Sequence, residues 1–317
     1  MKKLLIGFSS IFTFLTVSCS TSTPNKVDVI VNKNETKLYK NKYINELLNL
    51  YFTDSKLKNS YINDQENISD SKFSELKYGL TFYPIFIHRS LERHNGRQHF
   101  EIIQKAKKSL EFTLKNDWYW TLDNIKQFKF VFNPYGDLYK EFNDDEKKFN
   151  EIDNSLGLTS NIQNNNIQKL IKISLRNSIE INKDITDIYS KKEAIYLVFD
   201  DNKILKLWKY ENKSQNELQI LTDMFIFKDS HNLEKQLENL EQLIFDKRKV
   251  EYERDLKIKN GKQDDIAKLN ARSNDEHFME FHATDQYNER LTEALTDINK
   301  DGWKIARYSM GGIYEQE

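Results

Sequence analysis

The chain has one cysteine, three prolines and nine glycines in 317 residues. One cysteine excludes an internal disulfide, so stability has to come from packing. So little proline and glycine excludes collagenous, glycine-linker and proline-rich classes, and the chain is expected to fold. Excess charge of one sign is also missing. The 48 Lys and Arg against 49 Asp and Glu leave no basic surplus of the kind a dedicated nucleic-acid binder carries. Catalytic signatures are scarce: there is no Gly-x-Ser-x-Gly, and Gly311-Gly312 is the only pair of adjacent glycines, which leaves no phosphate-cradling loop. What the sequence has in quantity is aromatic. With 20 Phe, 16 Tyr and 4 Trp there is ample material for a core despite 31% charged residues.

The longest apolar stretch lies at the front. Met1-Lys2-Lys3 is a basic start, Leu4 to Val17 is apolar or small, and Ser18-Cys19 follows. Fourteen residues fall short of the ~20 needed to span a membrane, so the pattern reads as a secretory signal. Leu15-Thr16-Val17-Ser18-Cys19 resembles the lipobox of bacterial lipoproteins, with Leu15 one place further from the cysteine than is usual. That resemblance implies removal of residues 1–18 and lipidation of Cys19, with the lipid as the membrane anchor. Losing Lys2 and Lys3 makes the mature chain more acidic, so charge would not hold it to an anionic membrane.

Residues 19–40 begin Ser20-Thr21-Ser22-Thr23-Pro24 and stay largely polar. They are expected to form a flexible tether that holds the folded part roughly 25 Å from the membrane. Richness in Lys, Asn, Ile, Phe and Tyr, runs such as Asn164-Asn165-Asn166, the lipoprotein signal and the Ser/Thr tether together resemble antigen-type surface lipoproteins of Lyme-disease spirochaetes. The resemblance implies a lipid anchor in the cell outer membrane, surface exposure, and a host or vector protein as partner. It carries no functional residue beyond Cys19.

Residues 41–317 are expected to fold as an α+β region, helix-rich, with 211–232 as the place where it would divide. Tyr43, Ile44, Leu47, Leu48 and Tyr51 fall on one helical face. The polar stretch 53–71 reads as a connection, and Phe73 to His88, which contains Pro84, as neither regular helix nor central strand. Phe100, Ile103, Ala106, Leu110 and Leu114 predict a helix. Trp118 to Phe132 predicts a strand in which Trp118, Tyr119 and Trp120 are core. Asn133 to Asp137 reads as a turn, and Leu170, Ile171, Ile173 and Leu175 as helical again. The clearest β signal is a hairpin near 194–210 with one face on a core. Leu233 to Asn270 reads as an exposed charged helix or helical hairpin broken at Asn260-Gly261. The last forty residues predict a β-α-β unit: a strand at His277–His282, a helix from about Asp285 to Lys300, and a strand after Gly302. Gly302 would cap the helix in a left-handed conformation, and Trp303 would bury its ring on Leu291, Leu295 and Ile298.

Asp297, Asn299, Asp301 and Gly302 match the first half of an EF-hand loop. Position 12 is Tyr308 rather than Glu, and Lys300 and Lys304 repel a cation, so no metal is expected and the stretch reads as a helix stop. His277 and His282 are five apart, which is not zinc-helix spacing. No cofactor and no nucleic-acid partner are expected. These readings predict a non-enzymatic surface protein that acts by contact with host, vector or envelope components. The alternatives are an envelope enzyme whose site is gathered from scattered residues, and a periplasm-facing structural or assembly lipoprotein.

Overall fold

Asn41 starts the first long helix. Its side-chain oxygen accepts from the Tyr43 and Ile44 amides at 2.9 and 3.4 Å, which satisfies first-turn donors that no helical carbonyl reaches. Helix α1 (Lys42–Tyr51) follows and buries Ile44, Leu47 and Leu48, the face its sequence periodicity predicts. The computed structural model describes residues 37–82, 100–133, 151, 153–174, 192–199, 202–212, 215–258 and 281–314. Cys19 and residues 20–36 of the expected tether lie outside these, whereas its last residues are part of the fold: Leu38–Lys40 form a 3-10 turn and Leu38 is buried in the core.

Four more helices precede the sheet: α2 (Ser55–Glu66), α3 (Ser71–Phe82), α4 (Phe100–Asn116) and α5 (Trp118–Asp123). Strand β1 (Phe128–Phe132) comes next. An antiparallel meander follows, formed by β2 (Ile167–Ser174), β3 (Lys192–Phe199), β4 (Lys203–Asn212) and β5 (Gln215–Phe227). Helices α6 (Leu233–Ile258) and α7 (Phe281–Asn299) then lead to β6 (Ile305–Ile313). The sheet order is β1-β6-β5-β4-β3-β2, antiparallel throughout, so the last strand inserts between β5 and the earliest one.

Strand alternation sends neighbouring side chains to opposite faces, and here both faces are covered. Ile195, Leu197, Leu205, Leu207, Ile220, Met224 and Tyr308 pack with Leu47, Leu80, Leu110 and Trp118 from the first five helices. Tyr196, Ile204, Trp208, Phe225 and Ile305 pack with Leu237, Leu240, Leu291 and Leu295 of α6 and α7. The protein is α+β, a six-stranded antiparallel sheet between two helical layers. No helix among the described residues is long and apolar enough to cross a membrane.

The hairpin expected near 194–210 is present as β3 and β4, in register from Lys192↔Tyr210 to Val198↔Ile204. Its second face, however, is as buried as the first. Several other expectations need correction. The polar stretch 53–71 carries α2, capped by Asp54, whose Oδ1 accepts from the Lys56 amide at 2.7 Å; this helix buries only Ile62 and Gln65, too few to show a periodicity. Phe73 opens onto a helix after all, because α3 ends at Phe82, before the residue that Pro84 would restrict. Residues 83–88 lie outside the described residues, as do 134–137 and 260–261. Trp118 to Asp123 is helical, and only Phe128–Phe132 is strand.

Leu170, Ile171 and Ile173 belong to edge strand β2, with Leu170 on one core and Ile171 and Ile173 on the other. Two apolar faces on one strand imitate helical spacing. Phe281 and His282 open α7 rather than closing a strand, and 277–280 are outside the described residues, so the terminal unit is described as helix then strand. Residues 215–227, inside the stretch where the region was expected to divide, form β5, which is paired on both sides.

Candidate functional site

A polar cluster lies in the apolar layer between the sheet and α6–α7. Alternation along β4 puts Lys206 on the same face as Ile204 and Trp208, and it is fully buried. Across the ladder it faces Tyr196. Helix α6 supplies Glu241 and helix α7 supplies Tyr287. The Lys206 ammonium donates to Glu241 Oε1 and to the Tyr287 hydroxyl, the latter at 2.9 Å. The Tyr196 hydroxyl donates to the same Glu241 oxygen. Three rings surround the ammonium, with centroids at 4.6 Å for Tyr287, 5.5 Å for Tyr196 and 5.8 Å for Trp208, distances at which a ring face attracts a cation. Burial pulls the Lys206 pKa below the usual lysine value, opposed by the Glu241 and Asp223 charges. Burial, and then the Glu241 charge, hold the Tyr196 hydroxyl well above the usual tyrosine range.

Two strands away, Arg307 is 1% exposed. Its Nε donates to Asp223 at 2.7 Å and Nη1 to Thr292 at 3.2 Å, while Nη2 donates to Asn288. Ser309 donates to Asp223 at 2.8 Å, and Asn133 donates to Ser309 at 2.8 Å. A guanidinium so surrounded locks α7 to β5 and β6, a structural task.

The first cluster has an opening. A cavity of about 570 Å³ lies between β2 and α6, and Glu241 is part of its wall with Lys172, Ile173, Glu238, Ile244 and Phe245. A mouth with an apolar floor and a buried carboxylate can hold an apolar chain that ends in a hydrogen-bond donor.

On the opposite side of the sheet is a cluster of aromatic rings in edge-to-face and tilted contact. Phe52 is 4.7 Å from Tyr51 and 5.0 Å from Tyr61, and Trp118 is 6.0 Å from Tyr51 and 5.8 Å from Tyr61. Trp118 is completely buried, whereas Tyr51, Phe52 and Tyr61 are half-buried. The Tyr61 hydroxyl donates to the Asn116 carbonyl at 3.0 Å and accepts from the Tyr119 amide at 3.4 Å. Desolvation holds it well above the usual tyrosine range, and the Tyr119 hydroxyl is raised for the same reason. Trp120 meets Phe73 at 4.9 Å with the rings tilted. These rings are core, as expected for Trp118 to Trp120, but they fasten a helical layer rather than a strand.

The calcium-loop candidates do not converge. Asp297 is 2.7 Å from Lys247. Asn299 Oδ1 accepts from the Lys304 and Ile305 amides at 2.5 and 3.0 Å, and its Nδ2 donates to Leu295 and Ile305 carbonyls. Asp301 is exposed in the turn. Gly302 takes φ of +112°, which favours glycine, in the turn after α7, where its amide donates to the Asn299 carbonyl at 3.0 Å. Trp303 departs from expectation: it is half-buried against the other core, with the Lys228 ammonium 5.3 Å from its ring. Ile305, two residues on, is the side chain that packs with Leu291 and Leu295. Lys206 and Glu241 were not found from the sequence; the only trace is a lysine in phase with Ile204 and Trp208.

The fold and its ring clusters thus define an aromatic-stabilised α+β protein with helices on both faces of one sheet. The family described as aromatic cluster surface protein matches residues 21–293, most of the chain, and the protein belongs to that family. No curated protein and no solved structure matches it.

Proposed function

We propose that the protein is a lipid-anchored surface protein that acts by contact with a host, vector or envelope component rather than by catalysis. The observation that carries this reading is the family membership combined with a single cysteine that directly follows an apolar signal-like stretch. The lipid on Cys19 is the anchor, and the tether is the stretch after it that ends before Lys37, where the folded unit begins. Membrane attachment through acyl chains follows their buried methylenes, at about 0.8 kcal/mol each, so two or more chains are needed to hold the protein. Contact is favoured over chemistry because the motifs that assemble nucleophiles or bind phosphates are absent from the sequence.

Metabolic labelling with an alkyne palmitate tests the anchor. The wild-type chain should incorporate label and partition into detergent, and Cys19→Ala should do neither. Label retained by Cys19→Ala would refute the anchor.

A further inference from the structure

Lys172, Ile173 and Ser174 all line the cavity between β2 and α6. Successive strand residues point to opposite faces, so a cavity touching three in a row lies along the strand's outer edge rather than over one face. Strand β2 is the last in the sheet and, among the described residues, pairs with β3 alone. An unpaired edge presents a row of main-chain donors and acceptors. Asn41 Nδ2 already takes the Ile167 carbonyl at 3.0 Å, so the open stretch begins beyond the first residue of the strand.

Helix α6 forms the other wall and brings Glu238 and Glu241 to the cavity one turn apart. Glu238 is exposed and pairs with no cation among the described residues. The Glu241 side chain is 7% exposed. Both of its donors, Lys206 and Tyr196, share Oε1, and among the described residues nothing hydrogen-bonds to Oε2. A carboxylate oxygen on the cavity wall that no donor among the described residues takes is open to an incoming charged donor. Ile173, Ile244 and Phe245 beside it suit the methylene stem of a long basic side chain.

We propose that the groove between β2 and α6 takes an extended peptide segment of a partner protein, which adds to β2 as a further strand and sets a Lys or Arg side chain between Glu238 and Glu241. Main-chain pairing supplies affinity in such strand addition, and alternate side-chain pockets supply selectivity. Lys235, which also lines the cavity, limits the preference: the segment is basic at the central position and not throughout. Lys172, held at 2.5 Å by Glu46 of α1, keeps the open end of β2 fixed against the first helical layer. The proposal names the kind of partner and rests on the contact reading only in taking the partner to be a macromolecule. The lipid on Cys19 plays no part in it, so failure of the labelling experiment leaves it standing.

The test uses the full-length protein in detergent and fluorescent nine-residue peptides of alternating Thr and Val. The central residue is Lys, Glu or norleucine, and a fourth peptide has the Lys sequence with alternate amides N-methylated. Fluorescence anisotropy should show saturable binding of the Lys peptide, at least tenfold tighter than the Glu or norleucine peptide, and loss of binding on N-methylation. Hydrogen exchange should slow within residues 169–174 when the Lys peptide is bound. Glu238→Lys, at an exposed position, should weaken the Lys peptide about tenfold and strengthen the Glu peptide, with an unchanged unfolding transition. Glu241→Gln should also weaken the Lys peptide, measured alongside its unfolding transition because Lys206 depends on that carboxylate. Equal binding of the Lys and Glu peptides, unimpaired binding of the N-methylated peptide, or a Glu238→Lys protein that does not distinguish them would overturn the proposal. So would a sedimentation result in which β2 is occupied by a second copy of the chain and no peptide displaces it.

Discussion

At Lys206 an ammonium with no solvent access is held between three aromatic rings and one carboxylate. Desolvating both charges costs several kcal/mol, and their attraction with the tyrosine hydrogen bonds offsets it. Removing one partner is therefore worse than removing both. Glu241→Ala should destabilise by about 3–5 kcal/mol because it leaves Lys206 uncompensated. The double variant Lys206→Met, Glu241→Leu should recover about half of that loss, retaining the cost of a Tyr196 hydroxyl without its acceptor, ~1–3 kcal/mol. Urea unfolding of the two single variants and the double closes the cycle; additive losses would mean that the pair is not coupled. Sequence alternation located the strand but not this chemistry. A lysine in phase with Ile204 and Trp208 reads as the polar side of a half-exposed strand until α6 is seen to cover it. At Gly302 the reading was sound, since the positive φ calls for glycine. It erred at Trp303, because β6 begins only at Ile305 and Trp303 lies in the turn before it, outside the strand's alternation.

Among the elements, α3 and α4 meet at the closest approach that can be tested. A Cβ built on Gly79 would lie 2.9 Å from Leu110 Cγ and 3.2 Å from its Cδ2, and Leu110 is 1% exposed. Alanine at this position should improve intrinsic helix propensity by about 1 kcal/mol. Overpacking against a fixed leucine costs ~1–3 kcal/mol, and packing should win. Gly79→Ala is expected to lower the thermal midpoint, and the double variant with Leu110→Ala should remove the clash. A Gly79→Ala protein more stable than wild type would show that the two helices separate freely.

Helices α1 and α4 were legible because each buries a regular stripe, and the β3–β4 hairpin because two β-rich runs flank a short polar turn. Elements that buried little were not. Helix α2 covers just two residues with its inner face, and its existence rests on the Asp54 cap, a signal a polar run conceals. Strand β2, apolar on both faces, mimicked a helix. Helix α5 looked like a strand because Trp118, Tyr119, Trp120 and Leu122 are all buried, which leaves no polar side to reveal a period.

For the whole molecule, the sheet is completed by a strand beyond the residues the family match covers. Strand β6 (Ile305–Ile313) sits between β1 and β5, and the match ends at residue 293. The two helical layers reach the same sheet from opposite sides, so aromatic residues dispersed along the sequence gather into the clusters that hold each layer in place. This leaves the groove beside β2 as the described cavity where polar chemistry and an open strand edge coincide. The expectation of a surface protein, drawn from the first nineteen residues and the composition, agrees with the family match. The groove beside β2 was not legible, because it joins residues some 60 positions apart.

External proteolysis of intact cells carrying wild-type protein or Cys19→Ala tests lipid-anchored surface display most directly. Trypsin added outside should release a folded fragment from wild-type cells, cut at Lys26 or Lys33 ahead of the folded unit, before any cytoplasmic marker is digested. The Cys19→Ala chain should be absent from that released fraction. Survival of the wild-type chain until the envelope is opened would contradict the account.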